Sequence, residues 1–280
     1  MSDNPIYIAV FGRTGSGKTS FINRATGASI NPGHGAASDT KIVEQVNIPS
    51  NKVEGREIIL IDTPGFNDTD LEEPRLFLHI ADWLANSHYN GERLNGVVFL
   101  QGINEVRVLK GEQNGVELFK NIVGSDALGQ VMVVTTMWDQ VEPDFGTRNE
   151  NNRASVWLNL KSGGARFGRF YNTEDSALEI VREFQEFPKI TLLLQQELIQ
   201  HGGKVRKTSA AQFLEKSLGV KIADIRKQVK IVSASGVLKS RIRELRNWLK
   251  ELIKASIKFG ALTWKPVAAT GMAMRIWDTQ

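Results

Sequence analysis

One motif near the start of the chain constrains both its fold and its chemistry. It consists of Gly12, Arg13, Thr14, Gly15, Ser16, Gly17, Lys18 and Thr19. These residues match the phosphate-binding loop pattern G-x-x-x-x-G-K-[ST] at every position. An apolar stretch, Ile6–Phe11, precedes the loop, and a segment with helical spacing follows from Ser20. We therefore predict that the loop backbone from Gly12 to Ser20 binds a nucleotide's phosphates, that Lys18 reaches the β- and γ-phosphates, and that the Thr19 hydroxyl ligates Mg²⁺.

The composition excludes several other classes of site. The 280 residues contain no cysteine, so disulfides, thiolate metal centres and thiol nucleophiles are ruled out. The 4 histidines form no cluster with metal-ligand spacing. The first residues lack the basic and apolar regions of a signal peptide, and no run of about 18 apolar residues occurs. We expect a cytoplasmic protein, with a peripheral contact at a membrane left open.

Charge divides the chain into two parts. Residues 201–280 carry 17 Lys and Arg against 5 Asp and Glu, a net charge of +12, whereas residues 1–200 carry a net charge of −8. Such a split favours two functional parts. We predict a nucleotide-binding domain over residues 1–200 and a basic amphipathic helical extension over residues 201–280.

Strand-like and helix-like segments alternate along the first part. Short apolar runs predict buried strands, whereas spacings of three and four residues predict helices. The alternation favours an α/β fold with a mostly parallel sheet covered on both faces. Predicted strands are 6–11, 41–48, 57–62, 96–100, 131–135 and 169–171, and the second and third should form a hairpin. Predicted helices are 18–25, 76–84, 115–123, 153–160 and 176–187.

Two further motifs follow predicted strands. Asp62-Thr63-Pro64-Gly65 closes the third strand; an acid there can hold Mg²⁺ through water, and the Gly65 N–H can meet the γ-phosphate. Thr136-Met137-Trp138-Asp139 follows the fifth strand. Its aspartate can accept hydrogen bonds from the N1 and N2 groups of guanine, an edge that adenine lacks. Because ligands bind at the carboxyl ends of parallel strands, both motifs should lie beside the phosphate loop.

The order of these motifs resembles that of Ras-like GTPases. It is most similar to the septin-related branch with the immunity-associated (GIMAP, or AIG-type) and chloroplast import GTPases, and it also resembles fungal G-domain proteins carrying T-x-M-W. The segments that carry the resemblance, beyond the phosphate loop, are Ser38–Lys41, Asp62–Asp68, Arg107 within Gly102–Gly111, Thr136–Asp139 and Phe170–Asn172. Residues 6–187 are covered. The resemblance implies a P-loop G domain with guanine nucleotide and Mg²⁺ as ligands.

The resemblance also implies individual roles. Thr40 would be the second Mg²⁺ ligand after Thr19, with Asp62 holding the ion through water, and Asn172 would face the guanine base. Arg107 would lie near a dimer interface, where an arginine can stabilise the γ-phosphate of a partner chain. Lys18, Thr40, Gly65 and Arg107 would then be the catalytic set of a nucleotide-controlled, dimerising GTPase.

Two positions depart from the pattern of the family. Met137 replaces the lysine of N/T-K-x-D, so an ATPase or a nonselective nucleoside triphosphatase is one alternative. Phe66 replaces the glutamine that orients water in Ras-like proteins, so hydrolysis should be slow in a monomer. A second alternative is a scaffold that holds the nucleotide without hydrolysing it.

The basic extension allows three interpretations. Leu214, Leu218, Ile222 and Ile225 repeat at helical spacing, and Leu238 to Leu252 continue with a narrow 4-3-4-3 seam. The apolar seam can pack on the acidic domain, join two chains, or lay a basic face on an anionic membrane. No nucleic-acid-binding module accompanies the charge, so we expect no nucleic acid partner.

Overall fold

The computed structural model describes residues 5–30, 43–66, 73–104, 110–234 and 250. Its centre is a six-stranded sheet with the order β2-β3-β1-β4-β5-β6. Only the β2–β3 pairing in that sheet is antiparallel. The strands are β1 Ile6–Gly12, β2 Glu44–Ile48, β3 Ile58–Asp62, β4 Gly96–Gly102, β5 Val131–Thr136 and β6 Arg166–Arg169.

Helices connect the parallel strands and cover both faces of the sheet. They are α1 Lys18–Thr26, α2 Glu73–Tyr89, α3 Lys110–Val123, α4 Pro143–Arg153, α5 Leu158–Ser162, α6 Glu174–Arg182, α7 Leu193–Gln200 and α8 Ser209–Ala234. Short 3₁₀ turns occupy Ser125–Gln130, Trp138–Gln140 and Val205–Lys207.

Alternation along the strands divides the buried side chains between two cores. Ala9 and Phe11 of β1 join one core, which lies against α2, α3, α7 and the first half of α8. Ile8 and Val10 join the other, which lies against α1 and α6. Because successive strand residues point to opposite faces, a strand buried on both sides must be apolar throughout. The apolar runs that predicted β1, β3, β4 and β5 follow from this requirement.

The predicted fold class, an α/β P-loop domain with a mostly parallel sheet, is confirmed, as is the β2–β3 hairpin. Two predicted elements were wrong. The last strand is Arg166–Arg169 rather than 169–171, because Asn172 has a left-handed backbone (φ 59) and Phe170 packs its ring on Phe21 of α1. In place of a helix over 153–160, α4 ends at Arg153 and α5 begins at Leu158. Helix α4 is almost wholly polar, so it has no apolar periodicity to detect.

The first half of α8, which belongs to the predicted basic extension, packs into one of the two cores. Ala210, Ala211 and Leu214 of α8 are buried in the same core as β1 and α3. Leu218 and Ile225 are also buried, in line with the predicted seam. Helix α8 runs on to Ala234, and the second seam from Leu238 to Leu252 lies outside the described residues, apart from a helical residue 250. Among the helices that are described, none has the length and apolarity needed to cross a bilayer.

Candidate functional site

The phosphate loop lies where β1 ends and α1 begins. Gly15 and Gly17 have positive φ angles of 75° and 90°, which residues with a Cβ rarely adopt, so the motif needs glycine at both places. Gly17 is the N-cap of α1, and Thr19 and Ser20 lie in the first turn of that helix. The loop backbone therefore curls around the positive end of the helix dipole, an arrangement that binds anions.

Lys18 lies inside the curl of the loop. Its side chain is largely buried, and its Nζ donates hydrogen bonds to the carbonyl oxygens of Gly12 and Arg13 at 3.3 and 3.1 Å. An ammonium group is a strongly hydrated charge that is costly to bury without partners. The two carbonyls hold the lysine head at the loop, where a phosphate would add its negative charge.

Asp62 closes β3 within electrostatic reach of the loop. It is 1% exposed, and its Oδ1 is buried with no hydrogen-bond partner among the described residues. Burial raises the pKa of Asp62 to about 6 and Glu44 adds to that increase, whereas the Lys18 ammonium lowers the pKa. Buried polar atoms are nearly always satisfied, so the bare Oδ1 marks a place for a donor or a cation. Mg²⁺ prefers oxygen ligands and keeps several waters, so Asp62 and the hydroxyl of Thr19 fit that ion.

The segment after Asp62 crosses directly over the loop. A Cβ added to Gly65 would lie 2.6 Å from the Thr14 nitrogen and 2.8 Å from its Cα, both main-chain atoms. The Phe66 backbone forms a bridge with the loop: its N–H donates to Gly12 O, and its carbonyl accepts from Thr14 N–H, both at 3.2 Å. The phosphate loop and the Asp62 motif thus form one backbone-built unit.

The Phe66 ring is part of the core. Its ring is 1% exposed and stacks on Phe11, with the ring centroids 5.8 Å apart. Phe11 in turn contacts Phe119 of α3 edge-on. The Phe66 side chain therefore anchors the end of the described segment 43–66 to the core.

The predicted base motif lies on the other side of the loop. The Thr136 hydroxyl donates to Ser16 O at 2.8 Å, which ties the end of β5 to the phosphate loop. Met137 has a left-handed backbone with φ 68, and its Cε would lie 3.5 Å from a Cβ built on Gly17. The methionine thus lies along the loop, where it can cover a ring face.

Asp139 and Asn172 meet although they lie 33 positions apart in the sequence. The Asn172 Nδ2 donates to Asp139 Oδ2 at 2.8 Å, and its Oδ1 accepts from Arg24 Nε on α1 at 3.2 Å. Asn172 and Met137 are the described non-glycine residues with positive φ. Such conformations concentrate at functional sites, and both of these are in the predicted base motifs.

Beside the predicted base motif lies a network of side-chain contacts that no sequence motif predicted. The Arg169 guanidinium stacks over the Trp138 ring at 4.3 Å and pairs with Glu150 at 2.6 Å. Glu150 also accepts from the Thr135 hydroxyl at 2.8 Å, and that hydroxyl accepts from Trp138 Nε1 at 3.1 Å. The hydrogen bond to Glu150 raises the pKa of Arg169. Tyr171 lies beside Trp138, with the ring centroids 5.9 Å apart.

A cavity of about 160 Å³ adjoins the phosphate loop. It is lined by loop residues Arg13 to Ser16, by Gln101 at the end of β4, and by an ion pair at 2.7 Å between Glu112 of α3 and the buried Arg153 of α4. Sequence reasoning missed the ion pair, because the two residues belong to no motif and lie 41 positions apart. Two predicted residues, Thr40 and Arg107, lie outside the described residues.

Comparison with known proteins gave matches at the level of family and fold. A sequence profile of the AIG1 family matches residues 6–182. A search of curated proteins gave no match. Among solved structures, Toc33 from Arabidopsis thaliana in complex with GDP and Mg²⁺ is 16% identical, covers 68% of this chain and 88% of its own, and has a TM-score of 0.51. A structure of the chloroplast translocon components atToc33 and psToc159 is 15% identical, covers 65% and 82%, and has a TM-score of 0.50.

Proposed function

Since the chain belongs to the AIG1 family, we propose that it is a guanine nucleotide-binding protein that hydrolyses GTP slowly with Mg²⁺. The observation that carries the proposal is the meeting of Lys18, the buried Asp62 and Gly65 at one phosphate loop, with Asp139 at the neighbouring strand end. Toc33, which has the same fold, binds GDP and Mg²⁺.

The phosphate end supplies binding and charge neutralisation. The loop N–H groups and Lys18 would bind the phosphates, and Thr19, Asp62 and Thr40 would hold Mg²⁺. The metal, when bound, neutralises charge that develops on the phosphates. Gly65, which lies against Thr14 of the loop, would donate its N–H to the γ-phosphate and so distinguish GTP from GDP.

Slow hydrolysis follows from the position of Phe66. A phenyl ring has no group that could orient water, and this ring is packed on Phe11 in the core. Another group must therefore act on the attacking water or on the γ-phosphate. We propose that Arg107 of a second copy supplies that charge, which makes hydrolysis dependent on dimerisation. Dimerisation is important for the GTPase activity of atToc33 and psToc159.

Nucleotide binding is tested at Lys18. We expect Lys18→Ala to lose tight binding of a fluorescent GDP, because the charge at the centre of the loop disappears. Lys161→Ala is the matched control, since Lys161 is an exposed lysine on α5. Wild-type affinity in Lys18→Ala would refute the site.

Burial of Phe66 also favours a second function, a scaffold that holds GTP without turnover. Phosphate release measured over a range of protein concentrations separates the two. A rate per molecule that rises with concentration supports dimer-activated hydrolysis, and Arg107→Ala should flatten that rise. Absence of multiple turnover at every concentration supports the scaffold.

We propose that the residues after Gln200 form a basic extension whose exposed side meets an anionic membrane surface. On α8, the basic residues Lys216, Lys221, Arg226 and Lys227 outnumber the acidic residues Glu215 and Asp224, and Leu214, Leu218 and Ile225 are buried. Clustered lysine and arginine contribute about 1 kcal/mol each near anionic lipid. Sedimentation with phosphatidylserine vesicles should exceed that with neutral vesicles and should weaken in Lys227→Glu, which changes an exposed lysine.

A further inference from the structure

We propose that Arg24 is a positioning residue that sets the preference for guanine by fixing the orientation of Asn172 and, through it, of Asp139. This inference rests on the proposed function, because it concerns the base that the same site accepts. Arg24 belongs to none of the sequence motifs and has no predicted contact with nucleotide. Its role follows from two hydrogen bonds and from what a guanidinium can and cannot do.

The first step concerns the polarity of the Asn172 amide. Arg24 Nε donates to one end of the amide at 3.2 Å. Because a guanidinium has donors and no acceptor, the amide atom that faces it must be Oδ1. The Nδ2 group must then face the opposite way, where it donates to Asp139 Oδ2 at 2.8 Å. Arg24 thus decides which end of the amide reaches the aspartate.

The second step concerns the backbone that carries Asn172. The N–H of the preceding residue, Tyr171, donates to Ser176 Oγ at 3.2 Å. Thr173 is the N-cap of α6, and its Oγ1 accepts from the Ser176 N–H at 3.2 Å. The loop is therefore fixed in place, with Asn172 at φ 59. Its side-chain amide is the part left to rotate, and Arg24 is the group that stops the rotation.

The third step concerns the aspartate. To accept from both N1–H and N2–H of guanine, a carboxylate must present its two oxygens in the plane of the base. Asp139 is exposed, and Asn172 is its hydrogen-bond partner among the described residues. If the amide turns over, Oδ1 faces the carboxylate and repels it. Loss of Arg24 therefore loosens the one side chain that distinguishes guanine.

Helix α1 connects the phosphate loop to Arg24. It begins at Lys18 in the phosphate loop and carries Arg24 in its last turn. One helix therefore reaches from the phosphate end of the site, which is the phosphate loop with Asp62 to Phe66, to the base end, which is Asp139 and Asn172 with their partners. Its placement fixes Arg24 relative to a nucleotide already held by the loop.

The test compares GDP with inosine diphosphate, which lacks only the 2-amino group of guanine. In Arg24→Ala, affinity for GDP should fall about tenfold, the effect of losing one charge-assisted hydrogen bond. Affinity for inosine diphosphate should change less, so the ratio of the two affinities falls. A merely structural role would lower both affinities equally and leave the ratio unchanged.

Conservative and inverted variants sharpen the result. Arg24→Lys keeps a donor and should keep most of the ratio. Arg24→Glu places an acceptor against Asn172 and should turn the amide over, which lowers the ratio further than Arg24→Ala does. In an Asn172→Gly background, which keeps the left-handed backbone accessible, Arg24→Ala should have no further effect on the ratio.

Arg182→Ala is the matched control, since Arg182 is an exposed arginine on the adjacent α6 that donates to Lys52 O. It should leave the ratio at the wild-type value. An unchanged ratio in both Arg24→Ala and Arg24→Glu overturns the inference while GDP binding itself stands. Failure of the wild-type protein to bind either diphosphate overturns the proposed function and the inference with it.

Discussion

The two ends of the site are built by different means. At the phosphate end, Asp62 and Phe66 are each 1% exposed, and backbone hydrogen bonds join the loop to the segment that crosses it. At the base end, Arg24 and Asp139 are exposed, Tyr171 is 49% exposed, and side chains hold one another. A backbone-built site depends on glycine and on close approach, whereas a side-chain network depends on which residues meet. Substitutions should therefore be severe and cooperative at the first end and graded at the second.

The largest expected effect is at Phe66, where the site meets the core. Phe66→Ala should lower the free energy of unfolding by about 3–5 kcal/mol, because it empties a fully buried position next to Phe11. Phe167→Ala is the control, since that ring is 40% exposed and should lose less than about 1 kcal/mol. Urea unfolding of both variants checks the difference. Equal losses would mean that Phe66 does not anchor the phosphate end.

The next effect is a pH dependence at Asp62. Its pKa in the folded protein is about 6, against an ordinary value of 3.8. Between pH 3.8 and about pH 6 the carboxyl is protonated in the folded state and ionised in the unfolded state. Protonation of Asp62 therefore stabilises the fold at low pH. That stabilisation, about 3 kcal/mol, is lost as the pH rises through 6.

Unfolding of the metal-free protein at pH 7 and at pH 4 tests this dependence. Asp62→Asn removes the titrating group, so it should stabilise the metal-free protein at pH 7 and have little effect at pH 4. Adding Mg²⁺ with nucleotide should reverse the advantage at pH 7. The same stability gain at both pH values would show that Asp62 is not held at a raised pKa.

A smaller effect is expected at Gly65. Gly65→Ala should weaken GTP binding by about thirtyfold, because the added methyl group meets main-chain atoms of Thr14 that no rotamer change can move. GDP should be affected less, since the proposed partner of the Gly65 N–H is the γ-phosphate, which GDP lacks. Gly129→Ala is the matched control, because a Cβ there has no neighbour within 4 Å. Titration with both nucleotides distinguishes this outcome from a general loss of folding.

The sequence predicted the residues that build the phosphate end, but it did not predict the side-chain contacts that hold the base end. The difference has a physical reason. A backbone loop needs glycine at fixed spacing, so Gly12 to Lys18 and Asp62 to Gly65 leave a readable pattern. The partners Arg24, Asp139 and Asn172 come from three separate elements and have no fixed spacing. Neither Arg169 nor Glu150 belongs to a motif. Helix α4, which carries Glu150, was itself missed because its buried residues Gly146, Asn149 and Arg153 are not apolar side chains.

The smallest effect is expected at the aromatic rim of the base end. Arg169→Ala removes the guanidinium over Trp138 and the ion pair with Glu150, so GDP affinity should fall about threefold with little change in stability. Arg166→Ala is the control, because Arg166 lies on the same strand and makes a similar ion pair with Glu183 and ring contact with Phe187. The change in tryptophan fluorescence on GDP addition should differ from the wild-type change in Arg169→Ala only. Equal behaviour of the two variants would remove Arg169 from the base end.

Competition of four nucleotides with one fluorescent GDP tests the central claim most directly, namely that the phosphate end binds the nucleotide and the base end selects guanine. With Mg²⁺ present, GTP and GDP should displace the probe, inosine triphosphate should do so more weakly, and ATP should need at least about a hundredfold higher concentration. Displacement by none of them would contradict the phosphate site. Equal displacement by GTP and ATP would leave the phosphate end intact and contradict the role of Asp139, Asn172 and Arg24 in selecting the base.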